Sequence, residues 1–204
     1  MKLQLSVRHS KLMVSTAAHT LNRARLTRKM SAILQKKLAL VVAGAGYGKT
    51  TLVAQCITEL KTPVVWYSLD ETDSDLPMFL RYLIEGIRLH YPDFASGILR
   101  DGFEQHLSPA HLYTFLTVFL TEIERTTSDA LVVVLDDYHL LDADSPVHAA
   151  LSFLLNRSAA GLHVVVISRS EPPLSITRLR AMLAVVDVGE ADLAFDLEEI
   201  ARLY

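Results

Sequence analysis

A glycine-rich segment, Ala43–Thr51, has the residue types and spacing that a phosphate-binding loop requires. Its glycines can turn successive backbone N–H groups toward phosphate oxygens, and the start of a following helix adds N–H donors and a partial positive charge. Lys49 is placed to reach the β- and γ-phosphates of a nucleotide, Thr50 to offer a hydroxyl to magnesium, and Thr51 to approach the α-phosphate. The predicted nucleotide-binding residues are Ala43, Gly44, Ala45, Gly46, Tyr47, Gly48, Lys49, Thr50 and Thr51.

The first position of this loop departs from the common P-loop pattern, because Ala43 stands where glycine is usual. We interpret alanine as tolerated there, since the tightest backbone turns fall on the later glycines. A chance Gly-Lys-Thr in a glycine-rich turn is the alternative. It is disfavoured because an apolar strand precedes the segment and a helical pattern follows it, which is the context that a P-loop needs.

A second candidate site lies where an apolar run, Leu131–Leu135, ends in the acids Asp136 and Asp137. Asp136 is predicted to hold magnesium opposite Thr50, directly or through water, and Asp137 to polarise the attacking water. Two adjacent acids at a strand end are unfavourable unless a cation neutralises them. Alone, the pattern fits equally well a strand end that meets a polar turn. With a P-loop upstream, it indicates the Walker B site of a nucleotide hydrolase.

These residues need a scaffold of alternating strands and helices. Short runs rich in Val, Leu and Ile predict buried strands over Leu38–Ala43, Pro63–Ser68, Ala130–Asp136, Leu162–Ser168 and Ala184–Val188. Helical periodicity separates them over Thr50–Leu60, Leu76–His90, Ser108–Thr127, Ser145–Arg157 and Ser175–Met182. The alternation predicts an α/β P-loop NTPase fold, with a parallel five-stranded sheet in the order 5-1-4-3-2 and helices on both faces.

That strand order makes Arg169 a candidate sensor of the nucleotide state. In P-loop families of this type a later strand lies beside the P-loop strand, and here it is Leu162–Ser168. Its carboxyl end carries Arg169 toward the γ-phosphate, so Arg169 joins Lys49 and Asp137 as a catalytic candidate, although a solvated arginine after a strand is the alternative. His139, after the acid pair, either contacts the site or packs in the turn.

Composition indicates the partners and the cellular compartment of the chain. The net charge of −3 gives no electrostatic argument for nucleic acid or an anionic membrane. The single cysteine, Cys56, fits a reducing cytoplasm. No apolar run reaches the length of a membrane span, and Met1–Thr20 lacks the apolar core of a signal peptide. We therefore expect a cytoplasmic protein without membrane contacts.

The motifs together resemble the ATPase domain of the large ATP-binding LuxR-type transcription regulators, the maltose-activator-like group of the STAND class. The most specific are Asp-Asp-Tyr-His, which begins with the acids Asp136 and Asp137, and Ser-Arg-x-x-Pro-Pro-Leu, which begins at the end of the next strand. Besides the P-loop, the resemblance rests on Asn22–Leu26, Trp66–Asp73, Phe79–Leu83, Leu135–His139, Ile167–Leu174, Arg178–Arg180 and Asp192–Phe195.

The resemblance implies a switch that uses ATP, ADP and Mg²⁺. In the group, ADP holds a resting form, ATP with an inducer gives a form that self-associates, and slow hydrolysis resets it. A basic segment before the P-loop approaches the base and sugar, which maps to Asn22–Arg25, with Arg23 the best single candidate. DNA binding belongs to a carboxyl-terminal domain that this sequence lacks.

The implied domain organisation is an N-terminal extension over residues 1–20, the ATPase domain over 21–195, and the start of a following helix over 196–204. A fragment of a longer protein and a truncated gene product both remain open. Two other functions compete with the switch. A stand-alone P-loop phosphotransferase needs an arginine-rich lid, which the sequence does not contain. A non-catalytic assembly module is disfavoured by the presence of Lys49, Thr50, Asp136 and Asp137.

Overall fold

The computed structural model describes residues 7–14, 21, 23–95, 111–127, 130–158 and 161–201. Some features predicted from sequence fall partly or wholly outside these ranges. They are Asn22, the start of the helix predicted from Ser108, and parts of the predicted segments 1–20 and 196–204.

The centre of the fold is a parallel sheet of five strands in the order β2-β3-β4-β1-β5. The strands are β1 (Leu38–Val42), β2 (Val64–Ser68), β3 (Leu131–Asp136), β4 (Leu162–Ser168) and β5 (Val185–Val188). Read from the other edge, this is the predicted order, which is thereby confirmed. The pairing of Val42 with Ser168, and of Ser68 with Asp136, brings the polar carboxyl ends of the strands to one edge.

Eight α-helices are found in the described part of the chain. They are α1 (Ala24–Met30), α2 (Lys49–Thr58), α3 (Leu76–Arg88), α4 (Leu112–Thr126), α5 (Pro146–Arg157), α6 (Thr177–Ala181), α7 (Glu190–Leu193) and α8 (Leu197–Ala201). Short 3-10 turns cover His9–Leu12, Ser31–Gln35, Glu71–Ser74 and Tyr138–Leu140. The Ser145 side chain accepts a hydrogen bond from the Val147 N–H and Pro146 opens the helix, so α5 begins with a capping residue followed by proline.

Alternating strand residues divide the interior into two cores. On one face of the sheet, Leu40, Val133 and Val166 pack with apolar residues of α3, α4 and α5. On the other face, Val41 and Val134 pack with α1 and α2. Both faces are therefore covered, as near-continuous apolar strands require. No helix in the described ranges is long and apolar enough to cross a membrane.

The turn His9–Leu12 packs on the edge strand β2 through a buried polar network. Lys11 Nζ lies 2.6 Å from Asp73 Oδ2 and 2.8 Å from Asp70 Oδ2, and the Tyr67 hydroxyl donates to Asp73 at 2.6 Å. Burial by itself would lower the pKa of Lys11, but the bonds to the two carboxylates raise it. These contacts join residues 9–12 to the sheet, while the domain boundary at residue 20 stays a prediction.

Candidate nucleotide-binding site

The P-loop follows β1 and leads directly into α2. Gly46 and Gly48 have φ angles of 81° and 73°, so both lie in the left-handed region that side chains disfavour. Gly44, the first glycine of the motif, does not have a positive φ angle. Two glycines therefore account for the backbone turn. The Gly48 turn starts α2, whose first N–H groups form an anion-binding end at the edge of the sheet.

Lys49 lies over this loop. Its ammonium donates to the Gly44 carbonyl at 2.7 Å, so the side chain is folded back across the space that the loop encloses. Burial and the nearby Arg169 lower the pKa of Lys49, and the charges of Asp136, Asp137 and Glu190 oppose that shift. The lysine is thus a cation in an electrostatic balance that bound phosphate would change.

The predicted magnesium ligands are adjacent. Thr50 Oγ1 lies 3.2 Å from Asp136 Oδ1, and a hydroxyl and a carboxylate oxygen are the hard ligands that Mg²⁺ prefers. Burial, and next the charge of Asp137, raise the pKa of Asp136 to about 6. Such a buried carboxylate is stabilised by a cation. The residues present therefore fit a magnesium ion carried with a nucleotide.

This burial gives a testable pH dependence. The folded-state pKa of Asp136 is raised from 3.8 to about 6, so the neutral form is favoured in the fold. Its ionisation therefore lowers metal-free stability as pH rises through that window. At about pH 8 we expect Asp136→Asn to raise the free energy of unfolding by about 2 to 3 kcal/mol, because each pKa unit corresponds to about 1.4 kcal/mol. Thermal melts at about pH 5 and pH 8 measure this.

The matched control is Asp144→Asn, which neutralises an exposed acid in the loop after β3. Its melting temperature should stay close to that of the unmodified chain at both pH values. Asp136→Asn should also lose the stabilisation that Mg²⁺ with nucleotide gives. A metal-free Asp136→Asn protein less stable than the unmodified chain at about pH 8 would contradict the assignment.

Asp137 adopts a left-handed backbone, with φ of 56° and ψ of 35°. Aspartate tolerates this region better than most residues, and here it turns the chain sharply out of β3. The buried Tyr138 hydroxyl lies 2.9 Å from His148 Nδ1, and His148 Nε2 lies 2.9 Å from the Asp142 carbonyl oxygen. Hydrogen bonds from Tyr138 through His148 to Asp142 therefore stabilise the turn that carries Asp137.

His139 and Arg169 lie near each other and near Lys49. Burial lowers the pKa of His139, Arg169 and Lys49 lower it further, and Asp137 opposes them. Both ring nitrogens of His139 are buried without a hydrogen-bond partner among the described residues. His139 is thus placed among the charged groups of the site, and Arg169 follows β4 at the predicted edge.

Arg23 contacts the carboxyl-terminal segment of the chain. Its guanidinium is buried and donates to the carbonyls of Leu193 and Ala194, each at 2.9 Å, and to both carboxylate oxygens of Glu199. It also lies over the Phe195 ring, 4.5 Å from the centroid. A nucleotide contact by Arg23 stays a prediction. To make that contact, the guanidinium would have to leave these hydrogen-bond partners.

Two residues that contact predicted site residues were missed from sequence. Glu190 accepts a hydrogen bond from the Gly44 N–H at 3.0 Å, and Glu199 is the acceptor for Arg23. The spacing Asp196-x-x-Glu199 is a recognisable capping pattern, and its reciprocal bonds measure 2.8 and 3.1 Å. For Glu190 the one signal in the sequence is its position just after the strand that pairs with β1.

Comparison with known proteins identifies relatives of this chain. The chain is 34% identical over 189 residues to the HTH-type transcriptional regulator MalT of Yersinia enterocolitica, covering 91% of this chain and 20% of that protein. It is 36% identical to MalT of Serratia proteamaculans over the same shares. The chain thus spans a fifth of the length of these relatives.

A solved Walker-type ATPase of Pyrococcus abyssi, paby2304, superposes with a TM-score of 0.50 over 88% of this chain and 55% of that one, at 15% identity, a likeness of fold alone. No protein-family model matches the chain. The chain therefore has the fold of a P-loop ATPase and is similar over nearly its whole length to a segment of the HTH-type transcriptional regulator MalT.

Proposed function

We propose that the chain is the nucleotide switch of a transcription activator, which binds ATP or ADP with Mg²⁺ and hydrolyses ATP slowly to control self-association. The observation that carries the proposal is the joint placement of three groups at one sheet edge. These are the glycine turn under Lys49, the Thr50–Asp136 pair, and Asp137, whose backbone lies in the left-handed region. The similarity to MalT supports the regulatory part.

The proposed roles follow from the charges at that edge. The α2 N-terminus and Lys49 bind the phosphates, with Thr50 and Thr51 at the start of the helix. Thr50 and Asp136 would hold magnesium, which would supply charge neutralisation at the phosphates. Asp137 accepts a proton from the attacking water.

Arg169 and His139 are the remaining polar groups beside the acids. A cation after β4 can stabilise charge on the γ-phosphate, which is a role that arginine serves in many phosphoryl-transfer sites. The ring nitrogens of His139, which have no partner among the described residues, can bond to a phosphate oxygen or to the water. Both residues would therefore report whether a γ-phosphate is present.

The partners proposed for the whole protein come from the relatives. MalT is named an HTH-type transcriptional regulator, and we propose that DNA is bound by a domain outside these 204 residues. The module itself would contact nucleotide and a second copy of itself. Its proposed location is the cytoplasm, where a lone thiol such as Cys56 stays reduced.

Calorimetry on the 204-residue chain tests the proposal. We expect MgADP and MgATP to bind with a Kd of about 1 μM or tighter, corresponding to about −8 kcal/mol. Turnover should fall well below the roughly 1 to 1,000 per second common among enzymes. Sedimentation with ATP should show larger species than sedimentation with ADP.

Two other outcomes of these measurements would indicate a different function. Rapid phosphoryl transfer to a small acceptor would indicate a phosphotransferase. Absence of magnesium-dependent nucleotide binding would leave a module that only mediates assembly.

A further inference from the structure

A carboxylate occupies one side of the phosphate-binding loop. Glu190 Oε1 accepts the Gly44 N–H at 3.0 Å, and the side chain is exposed to solvent. It reaches the loop because β5, which ends at Val188, pairs with β1 through Val41 and Val188. A negative side chain in a loop that binds negative phosphates is electrostatically unfavourable to the ligand.

Gly44 joins this carboxylate to the catalytic lysine. Its N–H donates to Glu190, and its carbonyl accepts from Lys49 at 2.7 Å. The charge of Glu190 acts on Lys49 and favours its protonated form. Glu190 therefore places beside Lys49 a negative charge of the same sign as that of a phosphate.

Glu190 also begins a segment that is held firmly at its other end. It is the first residue of α7, and the carbonyl of the last residue, Leu193, accepts from Arg23 at 2.9 Å. Arg23 in turn forms an ion pair with Glu199 at 2.9 Å, with both side chains buried. A movement of Glu190 would therefore move the start of the segment that runs from α7 to α8.

We propose that Glu190 is an internal anionic competitor of the nucleotide phosphates, which weakens triphosphate binding more than diphosphate binding and leaves Gly44 when nucleotide enters. The inference rests on the proposed nucleotide-binding function and adds the residue that sets the preference between ATP and ADP. The sign follows from charge, since ATP carries one more phosphate toward the same carboxylate. For charges about 7 Å apart in a partly screened site, the expected change in affinity is about three- to tenfold.

Glu190→Gln separates charge from geometry. Glutamine keeps an oxygen that can accept the Gly44 N–H, so the fold and the loop are retained while the negative charge is removed. Calorimetry should show MgATP affinity raised by about three- to tenfold and MgADP affinity raised less. The gain should shrink at about 0.5 M salt because the effect is electrostatic.

The matched control is Glu122→Gln. Glu122 lies near the carboxyl end of α4, which leads into the amino end of β3 and thus to the edge of the sheet opposite the P-loop. It pairs with Arg125 at 2.8 Å, and its removal changes the net charge by the same amount. We expect nucleotide affinities of this variant to match the unmodified chain.

The outcomes separate this inference from the proposed function. If the unmodified chain binds no nucleotide, both fail. If it binds and Glu190→Gln leaves both affinities unchanged, the carboxylate only holds the loop by its hydrogen bond, and this inference alone is overturned. If Glu190→Gln weakens binding, Glu190 helps the ligand to bind, which also overturns the inference.

Discussion

Replacement of Lys49 by alanine is expected to lower MgATP affinity at least about a hundredfold while the domain stays folded. A charge-assisted hydrogen bond to phosphate is among the stronger polar interactions, and every 1.4 kcal/mol corresponds to about tenfold in affinity. The native ammonium donates a hydrogen bond to the Gly44 carbonyl within its own loop, and burial already lowers its pKa. Little folding stability should therefore be lost with it.

Calorimetry and thermal melting on the same samples separate binding from folding. The melting temperature of nucleotide-free Lys49→Ala should stay within a few degrees of the unmodified chain. Lys61→Ala is the matched control, since Lys61 is exposed and follows the carboxyl end of α2, one helix length from the P-loop. A Lys49→Ala protein that binds MgATP normally would show that phosphates do not occupy this loop.

Asp137→Asn is expected to retain MgATP binding and to lose hydrolysis by at least about a hundredfold. General-base groups contribute about 100- to 10,000-fold to rate, and an amide cannot accept the proton of the attacking water. Asparagine also tolerates the left-handed backbone of this position, so the turn out of β3 should remain. The measurement is single-turnover phosphate release from a preformed complex, with the dissociation constant determined separately.

The control here is again Asp144→Asn, an exposed acid of the same loop. Its single-turnover rate should equal that of the unmodified chain. Normal hydrolysis by Asp137→Asn would assign the base elsewhere, and His139, whose ring nitrogens have no partner among the described residues, would be the next residue to test. Loss of binding together with hydrolysis would instead place Asp137 among the metal ligands.

The sheet and the site edge could be predicted because their signals are local. The strands β1, β3 and β4 are short apolar runs buried on both faces, and the P-loop carries its own chemistry between β1 and α2. The acids Asp136 and Asp137 come directly after such a run, so their position at the carboxyl edge follows from the parallel arrangement. The strand boundaries agree with the predicted ones to within one residue.

The missed contacts are all distant in sequence. Glu190 and Gly44 are 146 residues apart, Arg23 and Glu199 are 176 apart, and Lys11 and Asp73 are 62 apart. No periodicity or spacing reports such a pair, because each depends on how strands and helices stack. Arg23 is an example, because its hydrogen-bond acceptors Leu193, Ala194 and Glu199 all lie in the carboxyl-terminal segment.

The place of β1 between β4 and β5 has a consequence for synthesis of the protein. Both neighbours of β1 lie far downstream, beginning at Leu162 and Val185, so the ribosome releases the P-loop strand well before either partner exists. Parallel pairings of such high contact order form slowly and late. The P-loop strand therefore gains its second neighbour only when β5 emerges. A nascent or prematurely terminated chain that ends before β5 contains the whole motif but lacks one of the two strands that flank β1.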